Sequence, residues 1–305
     1  MTGKDKKNKS KWFLGPALIS IFIFTILPIM YTIYIACTDY TMYSQDGKNF
    51  VGFKNFIDVL TGPFKEVFLP VFLWTMLFAI LTTLGCFLLG LVLALILNNP
   101  NIKESGIYKG VLIIPWALPA TVAILSFQGL LNGSYGAINT LLMNMNIIAE
   151  PVQWLNNPSL AKMCIILVSI WLGFPYMMNV ALGSLAAIPD VYYESAEMDG
   201  ASKWKQFRHI TLPSLTSTAY PLLISSFAFN FNNFGAAFLI TSGGPPRVDT
   251  QWAGFTDILA SVNYNLSTKF GRYDIAAALS ILIFIVIATI SYTQMKASGQ
   301  FEEVD

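Results

Sequence analysis

The sequence predicts an all-α integral membrane protein with six transmembrane helices and both termini on the cytoplasmic side. Three observations carry this. Only 11% of the 305 residues are charged and 55% are hydrophobic, at a mean hydropathy of +0.59, whereas a soluble domain has about 25% charged residues. Charge-free runs cover 12–38, 67–102, 110–149, 163–189, 210–246 and 275–295, and each can hold the ~20 apolar residues that cross a bilayer. Lys4, Lys6, Lys7, Lys9 and Lys11 stand directly before the first run, as in a cytoplasmic flank.

Taken in order, the basic segment 1–11 is expected to be cytoplasmic and the first span to lie at about 12–37. A secretory signal has an apolar core of only about 7–15 residues, so an uncleaved helix is expected here. The second span is placed at 70–97. The third, at 110–131, ends at the turn signal Asn132-Gly133-Ser134, and the outer segment up to Leu160 has room for one short surface helix. The fourth and fifth spans are placed at 161–187 and 214–241, with a polar loop at 189–213 between them. The sixth, at 274–295, leads into a cytoplasmic tail, 296–305. With the N-terminus inside, the cytoplasmic flanks hold eleven Lys and Arg and the outer flanks seven, which is the bias that sets orientation. Pro115, Pro119 and Pro175 fall within predicted spans, where each removes a backbone hydrogen bond and can kink the helix. A gating role and simple tolerance both fit such prolines.

The composition also excludes chemistry. The net charge of +1 gives no reason for a nucleic-acid partner. Cys37, Cys86 and Cys164 are odd in number and sit in apolar runs, so no disulfide framework or metal spacing is present. His209 has no cluster of Cys, Asp or Glu around it. There is no Walker A sequence, no H-E-x-x-H and no Ser/His/Asp arrangement, so an integral-membrane enzyme is disfavoured. The spans lack the ionisable residues that mark proton relays and ion paths. A stand-alone secondary carrier or charge-selective channel is therefore disfavoured as well, and a neutral solute is favoured.

The fifth span carries neutral polar groups instead, in Ser225-Ser226-Phe227-Ala228-Phe229-Asn230-Phe231-Asn232-Asn233-Phe234. Ser226, Asn230 and Asn233 recur at i, i+4 and i+7, the spacing of one helical face. Amides interleaved with Phe227, Phe229 and Phe234 suit a sugar, whose hydroxyls take hydrogen bonds while its apolar ring faces stack. Interhelical hydrogen bonding, worth about 0.6–2 kcal/mol per bond in membranes, accounts for the same residues equally well.

The loop 193–213 reads YESAEMDGASKWKQFRHITLP. Residues 193–198 are helix-compatible, with Glu194 and Glu197 in a first turn where acidic groups favour the positive end of the dipole. Gly200 can take the left-handed conformation that stops a helix. Residues 201–211 form a candidate second helix that places Trp204, Phe207 and Ile210 roughly on one face, and Leu212-Pro213 is expected to end it and to suit the start of the next helix.

Glu194-Ser195-Ala196, Asp199-Gly200-Ala201, Phe207, Ile210 and Leu212-Pro213 together resemble the EAA loop of the membrane subunits of binding-protein-dependent ABC importers, E-A-A-x-x-D-G-A and then F-x-x-I-x-L-P, with Ser195 at the middle Ala. The segments Trp171-Leu172-Gly173-Phe174-Pro175-Tyr176-Met177-Met178, 226–234 and Thr241-Ser242-Gly243-Gly244-Pro245-Pro246 are similar to the maltose/maltodextrin-type (MalF-like) permease subunits. The likeness runs from about Trp12 to the C-terminus.

This resemblance implies a type I ABC importer permease fold in the cytoplasmic membrane of a bacterium or archaeon. It implies transport of a neutral oligosaccharide by alternating access, maltose or maltodextrin ranked ahead of another oligosaccharide or glycoside. The partners implied are a second homologous permease, an ATPase dimer that uses ATP and Mg, an extracytoplasmic sugar-binding protein and the lipid bilayer, with no cofactor on this chain. Matching positions give Leu172, Gly173, Tyr176, Ser226, Asn230 and Asn233 as sugar contacts, with Gly173 letting a sugar ring approach the backbone. Glu194, Ala196, Asp199, Gly200, Ala201, Phe207, Leu212 and Pro213 would couple to the ATPase. Ser169 and Ala120 stand where the best-known member has Asn and Ser, so some sugar hydrogen bonds are expected to be remade. That member's large extracytoplasmic insertion is missing, so the contact with the binding protein is expected to be smaller and to use loops near 39–66 and 243–272.

Overall fold

The computed structural model describes residues 14–44, 48–62, 64–99 and 101–297. The segment 1–11 and most of the tail, 298–305, lie outside the described residues. Among the described residues no strand forms, only two isolated antiparallel bridges. Helices α1 (Leu14–Ala36), α3 (Lys65–Leu97), α7 (Pro158–Ala186) and α13 (Tyr273–Ala297) are each long and apolar enough to cross a membrane. So is the stretch Ala219–Thr241, built from α10 (Leu212–Phe231) and α11 (Phe234–Thr241). Their length follows from sequence, since a run free of charge has no residue that gains by leaving hydrocarbon.

The third predicted span differs. It consists of α4 (Ser105–Ala117) and α5 (Ala120–Leu130), bent by 88° at the break. Leu118 is extended (ψ 146°) and Pro119 caps α5, the effect of a proline on the residue before it. Pro175 behaves otherwise, since α7 runs through it without interruption. The outer segment holds the expected short helix, α6 (Ala137–Asn144).

The described residues form two compact units. One joins the stretch before Leu69 to Asn263–Ile285. Within it Ala36 packs on Ala277 and Ala278, while Asn55 of α2 (Lys54–Leu60) donates to the carbonyls of Ala36 and Thr38 at 2.8 and 2.7 Å. The second unit joins Leu69–Val262 to the chain beyond Ile285. Its outer core packs Trp74 and Phe78 of α3 on Ile165 of α7 and Ile240 of α11, and its inner core packs Leu91 and Ala94 on Met178, Leu185 and Leu215. Trp74 Nε1 donates to the Thr256 carbonyl at 3.1 Å and Leu259 N–H to Thr75 Oγ1 at 3.0 Å, which ties α3 to the start of α12 (Leu259–Thr268). Large apolar side chains stay exposed along the long helices, and none of the most apolar stretch of α1 is buried. Such surface is far beyond what a soluble monomer shows and is what lipid or a partner subunit covers.

Candidate functional site

Within the second unit a cavity of about 610 Å³ opens between α3, the α4–α5 break, α7 and the α10–α11 pair. That volume lies in the ~300–1,000 Å³ range of small-molecule sites. None of its lining residues is charged. Leu172, Gly173, Tyr176, Ser226, Asn230 and Asn233, the six residues singled out in the sequence, all line it. Asn232, between two of them in the chain, is exposed and does not.

The way these residues come together differs from one helical face. Helix α10 ends at Phe231, and Asn233 caps α11, its Oδ1 accepting from Ala236 N–H at 3.4 Å. Asn230 is nearly buried and donates from Nδ2 to Thr83 Oγ1 of α3 at 3.1 Å, so it joins two helices as well as facing the cavity. Of the three interleaved phenylalanines only Phe229 lines the cavity. Phe227 packs against Phe231 with ring centroids 6.0 Å apart, and Phe234 stacks on Phe238 at 4.8 Å. Gly173 also has a different local reason. A Cβ there would lie 2.6 Å from Cys86 Sγ, so its missing side chain admits the thiol of α3. The side-chain hydroxyls of Ser226 and Tyr176 make no hydrogen bond among the described residues, which leaves them available.

Sequence reasoning missed two walls. Trp116 and Leu118 enter from the α4–α5 break and Cys86 from α3. The break could have been read from Leu118-Pro119, but which side chains it turns inward is a tertiary fact. Ser169 and Ala120 both line the cavity, and Ser169 Oγ is committed to the Ile165 carbonyl at 2.7 Å.

A second candidate site is the loop between α7 and α10. Helix α8 (Asp190–Met198) ends in Gly200, at φ +72°, with Ala201 N–H returning to the Ala196 carbonyl at 2.8 Å. Glycine takes this left-handed turn without the strain a Cβ brings. Ser202 caps α9 (Lys203–Gln206). The expected stop at Leu212-Pro213 does not occur. Residues 207–211 form one wide turn in which Leu212 N–H reaches the Phe207 carbonyl, and the chain runs on helically into α10. A wide turn takes up the proline ring that would otherwise clash with the preceding turn.

Tyr193 OH and Thr211 Oγ1 lie 2.9 Å apart and fasten α8 to this turn, while Tyr193 and Ile210 pack on the inner core. Trp204 stacks on Phe207 at 5.6 Å, whereas Ile210 turns to the core. Glu194, Asp199 and Gly200 are exposed, and Ala196, Ala201, Phe207 and Leu212 are half-buried. Glu197 pairs with Lys203, whose hydrogen bond holds that carboxyl below the usual carboxylate range. The outer surface of the loop is unexpectedly apolar, with Met198 89% and Trp204 67% exposed beside Val191 and Tyr192.

The family model described as "binding-protein-dependent transport system inner membrane component" matches residues 12–299. The chain is 37% identical over 297 residues to the galactooligosaccharides transport system permease protein GanP of Bacillus subtilis, covering 95% of this chain and 70% of that one. It is also 37% identical over 304 residues to the maltodextrin transport system permease protein MdxF of the same organism, covering 96% and 70%. Against the maltose/maltodextrin transport system permease protein MalF of Escherichia coli it is 39% identical over 252 residues, covering 81% of this chain and 49% of that one. The chain thus spans about half the length of that relative. A chain from the crystal structure of a bacterial ABC transporter involved in import of the acidic polysaccharide alginate superposes with a TM-score of 0.81 at 23% identity, covering 98% of this chain and 99% of that one. That likeness establishes the fold.

Proposed function

Since the chain belongs to the family of binding-protein-dependent transport system inner membrane components and is a multi-pass permease subunit of the oligosaccharide-importing kind, we propose that it carries a neutral oligosaccharide through the cavity between α7 and α10, with maltose and maltodextrins as the first candidates. The observation that carries this is the cavity's chemistry. It has amide and hydroxyl groups from Asn230, Asn233, Ser226 and Tyr176, the aromatic faces of Trp116, Tyr176 and Phe229, and no charge. A sugar ring presents hydroxyl edges and apolar faces, and aromatics with a polar tip serve both. An acidic polymer would need a cation that this lining lacks.

ATP hydrolysis belongs to a partner. We place an ATP-binding-cassette dimer against the 190–213 loop on the cytoplasmic side. There the exposed Met198 and Trp204 offer the apolar anchors typical of protein interfaces, and Tyr193, Thr211 and Ile210 link the loop to α10. Motion of the loop then reaches Asn230 along α10, and Asn233 across the break that follows Phe231. A second homologous permease completes the pore, and an extracytoplasmic binding protein delivers the sugar. No cofactor on this chain is needed.

Equal identity to a maltodextrin permease and a galactooligosaccharide permease keeps a galactoside as the second reading. Uptake of labelled maltotriose and labelled galactobiose by host cells with and without this gene separates the two. Loss of maltotriose uptake alone on deletion supports the first reading, loss of galactobiose uptake alone the second, and loss of neither overturns the assignment to these sugars.

A further inference from the structure

The two cavity amides are held in opposite senses. Asn230 spends an Nδ2 hydrogen on Thr83 Oγ1 at 3.1 Å, with the two side chains 7% and 5% exposed. Its Oδ1 accepts no hydrogen bond among the described residues, yet it is not one of their buried, unpartnered oxygens, so it opens on the cavity that Asn230 lines. Asn233 is the reverse. Its Oδ1 is taken by Ala236 N–H, which leaves its Nδ2 as the free end. The cavity therefore presents an acceptor at Asn230 and a donor at Asn233, on either side of the α10–α11 break.

We infer that Thr83 is a positioning residue that holds the Asn230 amide in this orientation against α3. A hydroxyl both donates and accepts, so two neighbouring hydroxyls of one sugar ring satisfy both ends at once. A ligand with only donors or only acceptors leaves one buried end unmet, which costs affinity. Thr83 reaches Asn230 from α3, which packs directly on α7, and sits one turn before Cys86, which lines the cavity beneath Gly173. Helix α3 is thus the rigid wall that fixes the amide. Without the Thr83 oxygen the carboxamide of Asn230 loses its anchor on α3, and its acceptor is no longer held toward the cavity.

The inference rests on the cavity being the sugar path, and the test separates the two. Labelled maltotriose uptake is measured in cells expressing the full transport system, with membrane levels of each variant followed by immunoblot. Thr83→Val keeps the shape and removes the oxygen, and is expected to lower uptake about tenfold. Thr83→Ser, which restores the oxygen, is expected to recover most of it. In an Asn230→Ala background Thr83→Val is expected to add no further loss, since a residue acting through another is not additive with it. Full uptake in Thr83→Val, or losses that multiply in the double variant, overturns the positioning role while leaving the sugar path intact. Full uptake in Asn230→Ala overturns the sugar path itself. If Thr83→Val fails to reach the membrane, Thr83→Ala is read by the same criteria.

Discussion

Asn230 illustrates how residue identity and neighbourhood divide the work. An amide in hydrocarbon needs partners, since each unmet group there costs several kcal/mol. Asn230 takes one from Thr83 and leaves its oxygen toward the cavity, whereas Asn232 is exposed elsewhere. Asn230→Ala and Asn233→Ala are therefore expected each to lower sugar uptake about tenfold or more, and Asn232→Ala to leave it within about twofold. Equal losses at all three would favour helix bonding over sugar contact. Gly173→Ala should be deleterious because its Cβ meets Cys86 Sγ at 2.6 Å, and Cys86→Ala should rescue it, since the Cβ of residue 86 lies 3.8 Å away. Membrane level and uptake of the single and double variants check this. Lys203→Ala should change little, because its pair with Glu197 is mostly solvent-exposed and such pairs contribute about 0–1 kcal/mol. The polar face of Ser226, Asn230 and Asn233 could be read from spacing. The Thr83 contact could not, because its partners lie 147 positions apart and nothing local marks a threonine as a partner.

At the scale of elements, long charge-free runs left little doubt where helices cross, and α3, α7 and α13 fall within a few residues of the expected spans. The prolines were the illegible part. The same residue broke the helix at Pro119, was absorbed by a wide turn before Pro213, and sits in an unbroken helix at Pro175. Local sequence names the missing hydrogen bond but not the packing that tolerates it. Gly200 was legible, because a glycine after an acidic helix is a helix stop with a mechanism. Gly200→Arg is expected to abolish sugar-stimulated ATP hydrolysis by the assembled transporter while the subunit still reaches the membrane. The side chain would be strained at φ +72° and would place a charge beside the exposed apolar surface of the loop. Normal stimulation in that variant would remove the loop from the coupling path.

At the scale of the whole molecule, the function proposed above divides labour between subunits, with this chain shaping an uncharged path and a partner ATPase supplying the energy. Vesicles holding this chain alone are expected to show no maltotriose accumulation above protein-free vesicles, with or without ATP. Accumulation there would revive a stand-alone carrier. The apolar surface of the long helices was foreshadowed by composition. The exposure of Met198 and Trp204 was not, because an apolar residue in a short amphipathic helix reads equally well as core.

The most direct test is a cryo-EM map of the assembled transporter, trapped with a non-hydrolysable ATP analogue and maltotriose. Sugar density against Asn230, Asn233 and Tyr176, with an ATP-binding subunit seated on the 190–213 loop, is the predicted result. Sugar lodged away from the α7–α10 cavity, or a loop that touches no ATP-binding subunit, would contradict it.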